Sequence, residues 1–126
     1  MQPKKVLVVD DSALMHRIYE VLLRGLPVVH ALDGREALAR LDDHPEIDLM
    51  LLDINMPNLN GFQVLEELRS SGRLARVSVI VVTTEGKEED ASRGLAAGAA
   101  AYLTKPFRAE DIRAAILRVA APGSSA

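Results

Sequence analysis

Six side chains stand at points along the chain where they could do chemistry together. Asp10 and Asp11 follow the apolar run Val6 to Val9, Asp53 closes the run Leu49 to Leu52, Thr83 and Thr84 close Val77 to Val82, and Lys105 comes just after Ala100 to Leu103. Carboxylates brought together repel one another and raise each other's pKa unless a cation neutralises them. An oxygen-only donor set on the rim of a cleft suits Mg²⁺, which keeps several waters and works beside phosphate groups. Asp53 stands apart from the Asp10 and Asp11 pair, at the end of an apolar run, so its carboxylate can be metal ligand and nucleophile at once. Phosphoryl transfer asks mainly for positioning and charge neutralisation. The metal, the Thr83 hydroxyl and the Lys105 ammonium can supply both around the oxygens of the transferring group.

Taken singly, each residue has a plainer role. An aspartate after a strand is a common helix N-cap, although Ser12 can cap the same helix, so two acids exceed what capping needs. Asp53 precedes Asn55-Met56-Pro57-Asn58 and could be a turn residue. Thr83 alone reads as a strand end, and a lone lysine such as Lys105 is usually a surface residue. It is the placement of all of them at the ends of successive apolar runs that favours a shared site, because ligands of an open parallel sheet bind outside the carboxyl ends of its strands.

The elements that must position these residues are legible as a pattern. Apolar runs short enough for buried strands recur at Val6 to Val9, Val28 to Leu32, Leu49 to Leu52, Val77 to Val82 and Ala100 to Leu103. Between them apolar residues recur at helical spacing, as in Leu14, Ile18, Val21 and Leu22, or Ile112, Ala115, Ile116 and Val119. Runs that are continuously apolar imply burial on both faces, as in a parallel sheet between helix layers, so the fold class is α/β. The punctuation agrees: Asp33-Gly34 opens the second helix, Asn60-Gly61 the third, Gly98 closes the fourth, and Pro106 stops the fifth strand.

Whole-chain properties narrow the function. With 126 residues and 48% hydrophobic composition there is room for one domain with a substantial core. A formal charge of -3 and a pI near 5.6 offer no basic surface for nucleic acid or anionic lipid. The absence of cysteine removes disulfides, thiolate metal sites and cysteine nucleophiles. The first apolar run is too brief for a signal-peptide core or a spanning helix, so a cytoplasmic protein without membrane contact is expected. Residues 1–121 are expected to form the domain. Residues 122–126 have linker composition, and either a natural end or the stub of a connection to an output domain fits it.

Val8-Val9-Asp10-Asp11-Ser12, the stretch Leu52-Asp53-Ile54-Asn55-Met56-Pro57-Asn58-Leu59-Asn60-Gly61, Val82-Thr83-Thr84 and Tyr102-Leu103-Thr104-Lys105-Pro106-Phe107 together resemble response-regulator receiver domains. The likeness spans about residues 5 to 120 and is greatest to single-domain chemotaxis regulators of the CheY type. The resemblance implies a flavodoxin-like sheet in the order 2-1-3-4-5 with helices on both faces. It implies Asp53 as phosphoacceptor and Asp11 as a direct Mg²⁺ ligand. Asp10 would be a ligand through water, and the Asn55 backbone carbonyl a further ligand. Thr83 and Lys105 would contact the phosphoryl group, and the Lys105-Pro106 bond would be cis. The donor would be the phosphohistidine of a sensor histidine kinase, with hydrolysis of the acyl phosphate as the reset. Such a protein is a switch and catalyses only its own phosphorylation and dephosphorylation.

A new phosphoryl group attracts a hydroxyl and an ammonium from neighbouring strands. If Thr83 moves toward it, space opens beside the fifth strand that the ring of Tyr102 could fill; by resemblance these two form the switch pair. The output face would comprise the fourth helix, fifth strand and fifth helix, including Lys87, Tyr102 and Phe107, and would bind an output protein, an attached output domain or a second copy. Thr84 occupies a place where many receivers carry alanine or glycine, so transfer or hydrolysis is expected to be slower. Asn60 replaces a frequent aspartate and should cap equally well. Asn55 and Glu85 imply, by resemblance to chemotaxis regulators, a short-lived phosphoryl group.

Rival readings are weaker. A flavin carrier would need a Ser/Thr/Gly-rich phosphate loop where Asp10-Asp11-Ser12 stands. A phosphoester hydrolase would pair its nucleophile with a nearby acid, which Asp53-Ile54-Asn55 lacks. The two remaining alternatives are a receiver excised from a larger regulator and a non-phosphorylated interaction or dimerisation module.

Overall fold

Each short apolar run forms a strand, and each stretch of helical spacing forms a helix. The computed structural model describes residues 3–56, 60–84 and 88–120. Pro57, Asn58, Leu59, Glu85, Lys87 and the tail from 121 lie outside the described residues. In chain order the elements are β1 (Val6–Val9), α1 (Ala13–Leu22), β2 (Val28–Ala31), α2 (Gly34–Asp43), β3 (Leu49–Asp53) and α3 (Gly61–Ser70). A 3₁₀ turn at Arg73–Ala75, β4 (Ser78–Thr84), α4 (Glu88–Ala96), β5 (Ala101–Lys105) and α5 (Ala109–Ala120) follow. All neighbouring strands pair in parallel, in the order β2-β1-β3-β4-β5.

Alternation along the strands sorts their side chains onto two faces. Leu7, Val9, Met50, Leu52, Val79 and Val81 pack with α2 and α3. Val6, Val8, Leu49, Leu51, Ile80 and Val82 pack with Tyr19 and Leu23 at α1 and with Ile112 and Ile116 of α5. Helix α4 joins the first layer, where Gly94 lies so close to Val81 that an added Cβ would stand 3.0 Å from its nearer methyl.

Three expectations need adjusting. Lys105 is the last residue of β5 rather than a residue beyond it, because the backbone ladder continues through the polar pair Thr84 and Lys105. Ladder bonds depend on the backbone, not on side-chain polarity. The run Val28 to Leu32 is not buried on both faces: β2 is an edge strand, Val28, Val29 and His30 are half-buried, and Leu32 is exposed. On α1 the helical spacing of Leu14, Ile18 and Val21 is real, but that stripe faces outward, with Leu14 65% and Val21 61% exposed. His16, Tyr19 and Leu23 face the sheet instead. Both stripes satisfy a 3.6-residue period, which fixes the repeat but not which side meets the sheet.

Local chemistry sets the helix starts. Ser12 Oγ accepts the Met15 N–H at 3.3 Å, and Asp33 accepts the Glu36 N–H at 2.8 Å. Asn60 and Gln63 form a reciprocal capping box at 3.0 and 2.9 Å. Each cap follows a strand directly or after a short loop, so the strand ends and helix starts share one rim of the sheet.

Candidate functional site

The rim collects the residues singled out in the sequence. Asp10, Asp11 and Asp53 each place a carboxylate oxygen within 4.8 Å of the others. Asp10 is fully buried and Asp53 only 6% exposed, whereas Asp11 faces solvent. The two buried acids are held the same way. Asp10 Oδ1 accepts the Ser12 N–H at 2.9 Å, and Asp53 Oδ1 accepts the Asn55 N–H at 3.0 Å. These are i to i+2 bonds of the Asx-turn kind, which lock each carboxylate to its own loop. The second oxygen of each turns to Lys105, whose Nζ donates to Asp10 Oδ2 at 3.0 Å and lies 3.5 Å from Asp53 Oδ2.

The charges do not balance, and the ionisation reflects it. Burial pushes the Asp53 pKa up, Lys105 opposes this, and Asp10 adds to the rise. Burial alone would lower the Lys105 pKa, but hydrogen bonding and attraction to Asp10 and Asp53 carry it above its ordinary value. The Tyr19 hydroxyl, buried nearby, is pushed up first by burial and then by the negative charge of Asp10 and Asp53. One ammonium therefore serves the two buried carboxylates, and Asp11 adds a third negative charge beside them.

Thr83 is buried at the end of β4, one residue beyond Val82, the ladder partner of Asp53. Tyr102 pairs with Val81 and Thr104 with Thr83, so Thr83 and Tyr102 point to the same face of adjoining strands. Tyr102 is 48% exposed and lines a groove with Phe107 and Arg118. Asn55 is exposed beside Asp53, and Thr84 sits at the lip of a second groove with Met15, Ile18 and Phe107. The Lys105-Pro106 bond is cis.

Two features escaped the sequence reading. Gly61 was noted only as a helix start, yet it is the point where α3 touches the backbone of Asp53 and Ile54. A histidine pair, His16 and His30, reaches the Asp10 carbonyl from below. Nothing in the sequence pointed to it, because the apolar stripe read on α1 was Leu14, Ile18 and Val21, which left His16 on the other side.

A donor set made only of carboxylate oxygens, two of them buried and sharing the single ammonium of Lys105, fits a hard divalent ion. Residues 6–117 match the response regulator receiver domain family. The chain is 36% identical over 112 residues to the chemotaxis protein CheY1 of Helicobacter pylori, covering 86% of this chain and 90% of that one. It is 37% identical over 115 residues to the protein PilG of Pseudomonas aeruginosa, covering 89% and 84%. The solved structure of the Vibrio cholerae chemotaxis protein CheY4 superposes with a TM-score of 0.82 at 35% identity, covering 91% of this chain and 97% of that one. The chain thus belongs to the response regulator receiver domains of two-component systems, and within them it is similar to CheY and PilG.

Proposed function

We propose that this chain is a phosphorylatable switch that takes a phosphoryl group onto Asp53 from a phosphohistidine of a sensor histidine kinase. The reading rests on one observation above all: Asp53 is buried at a strand end with one oxygen tied to Asn55 and the other turned toward Lys105, beside two further acids. In the transfer, an Asp53 oxygen forms the new P–O bond while the donor's P–N bond breaks and its electron pair returns to the imidazole. Asp10, Asp11, Asp53 and the Asn55 carbonyl would hold Mg²⁺, which when bound neutralises charge on the phosphoryl oxygens. Lys105 is released from Asp53 to the phosphoryl oxygens, and the Thr83 hydroxyl donates to them from β4. Asp10 is a poorer nucleophile by comparison, since Lys105 donates to its Oδ2 at 3.0 Å but stands 3.5 Å from Asp53 Oδ2.

Movement of Thr83 toward the phosphoryl group would free space on the face it shares with Tyr102, whose exposed ring can turn inward. The surface of α4, β5 and α5 would then change shape and recruit an output protein, an attached output domain or a second copy. The similarity to chemotaxis proteins favours motility signalling in the cytoplasm, and no helix among the described residues is long and apolar enough to cross a membrane. The protein acts on no substrate other than its own phosphoryl group. The test is labelling by acetyl phosphate with Mg²⁺, which should depend on Asp53 and disappear in Asp53→Asn; equal labelling of the two would refute the assignment.

A further inference from the structure

Below the acidic rim, α1 and the edge strand β2 bring two histidines together. His16 is 7% exposed and His30 half-buried, and their Nδ1 atoms lie 2.6 Å apart. The rings meet edge-on, with centroids 4.7 Å apart and planes at 69°. The outer nitrogen of each ring is already engaged. His16 Nε2 lies 2.7 Å from the Asp10 carbonyl oxygen, and His30 Nε2 lies 3.1 Å from the Glu20 carboxylate.

A carbonyl and a carboxylate can only accept, so each Nε2 must carry the hydrogen it donates. Two neutral imidazoles then have no hydrogen left for the inner contact, and two lone pairs face each other at 2.6 Å. That contact is repulsive unless a cation enters it. The cation is either an additional proton or a metal ion.

The geometry points to a site for a borderline divalent transition metal, Zn²⁺, Cu²⁺ or Ni²⁺, with His16 Nδ1 and His30 Nδ1 as its protein ligands and water completing the shell. Three observations support it. Donation of the second ring N–H to a backbone carbonyl or carboxylate is how metal-binding histidines are oriented, and both rings have that support here. Burial, and then the neighbouring His16, lower the His30 pKa, which favours the neutral ring that a metal ion needs. The His30 side chain is 31% exposed, so ion and water can reach the site from the open edge of the sheet.

Tetrahedral bonds of 2.0–2.1 Å place two nitrogens about 3.3 Å apart, so the rings must separate by roughly 0.7 Å. Among the described residues no strand flanks β2 on its outer side, which gives His30 that freedom. The acidic rim is the poorer match, since its hard oxygen donors suit Mg²⁺ while imidazole suits Zn²⁺, Cu²⁺ and Ni²⁺. An ion on the pair would fix His16 against the Asp10 carbonyl, and so fix the start of α1 against the end of β1.

The test separates the two sites. Zn²⁺ is titrated calorimetrically into an Asp11→Asn, Asp53→Asn double variant, which weakens the acidic cluster, and into the same protein carrying His30→Gln or Glu20→Gln. Circular dichroism verifies folding of each. The double variant should bind a single equivalent, His30→Gln should weaken binding at least about tenfold, and loss of the orienting Glu20 carboxylate should weaken it roughly tenfold. With Cu²⁺, electron paramagnetic resonance should show coupling to two imidazole nitrogens in the double variant. Binding that survives His30→Gln unchanged would overturn the site. Failure of the folded double variant to bind Zn²⁺ would also overturn it, leaving a shared proton between the rings.

Discussion

Replacing Gly61 by alanine should unseat α3 from the end of β3. A Cβ there would lie 2.7 Å from the Ile54 Cα, 2.8 Å from the Asp53 carbonyl oxygen and 3.0 Å from Ile54 Cδ1. Ordinary van der Waals contact begins near 3.4 Å, so the two backbones must part by roughly 0.7 Å. The Gly61 N–H donates to the Ile54 carbonyl at 3.1 Å. The same displacement would stretch that bond to about 3.8 Å, beyond hydrogen-bonding range. Ile54 cannot simply retreat, because its own N–H is bonded to the Val82 carbonyl at 3.1 Å. Overpacking costs about 1–3 kcal/mol and the lost bond about 1 kcal/mol. The smaller unfolded-state entropy of alanine returns about 0.4–1 kcal/mol. A net loss of about 2 kcal/mol corresponds to a fall in Tm of roughly 8 °C for a domain of this size.

The same shift moves the backbone of Asp53, the proposed phosphoacceptor, so labelling by acetyl phosphate should slow by roughly an order of magnitude, given how steeply rate depends on placement. Urea and thermal unfolding measure the first effect, and initial rates of labelling under native conditions measure the second. An alanine variant as stable as wild type would refute the close-contact reasoning. A destabilised variant labelled at the wild-type rate would show that Asp53 is positioned independently of α3.

Other perturbations follow from the charges and the backbone. The raised pKa of Asp53 means that the folded state holds its proton more tightly than the unfolded chain does. That stabilisation is complete below the ordinary aspartate value of about 3.9 and is lost as pH rises through the folded value. Asp53→Asn should therefore unfold at higher urea than wild type at pH 7, a gain that vanishes at low pH; matching midpoints at pH 7 would contradict it. Lys105→Met strips fully buried Asp10 of its ion-pair partner and should cost about 2 kcal/mol in metal-free protein at pH 7, below the 3–5 kcal/mol of a fully buried pair because the lysine is partly solvated. An unfolding midpoint equal to wild type would mean that the Ser12 N–H suffices. Gly72 and Gly98 have φ of 80° and 116°, and only Gly72 has open space around its would-be Cβ. Asparagine should be tolerated at Gly72 within about 1 kcal/mol and should cost more at Gly98, since it visits the left-handed helical region but not φ values well beyond it. Equal losses in thermal scans would refute the distinction.

The sequence by itself determined the alternation of strand and helix, the parallel class of the sheet and the gathering of Asp10, Asp53, Thr83 and Lys105 at one rim. Those follow from local pattern: apolar runs, caps such as Asn60, and the rule that parallel strands end together. Facing and distance were decided only by the tertiary structure. Periodicity could not say that Leu14, Ile18 and Val21 turn away from the sheet while His16 and Tyr19 turn toward it, because two stripes on α1 share the same repeat. Nor could it place His30 against His16, which depends on β2 pairing with β1 and on α1 crossing that face of the sheet. The shared hold of Lys105 on Asp10 and Asp53 is likewise tertiary, since 95 residues separate Lys105 from Asp10 and only the packed sheet brings their charges within 3.0 Å.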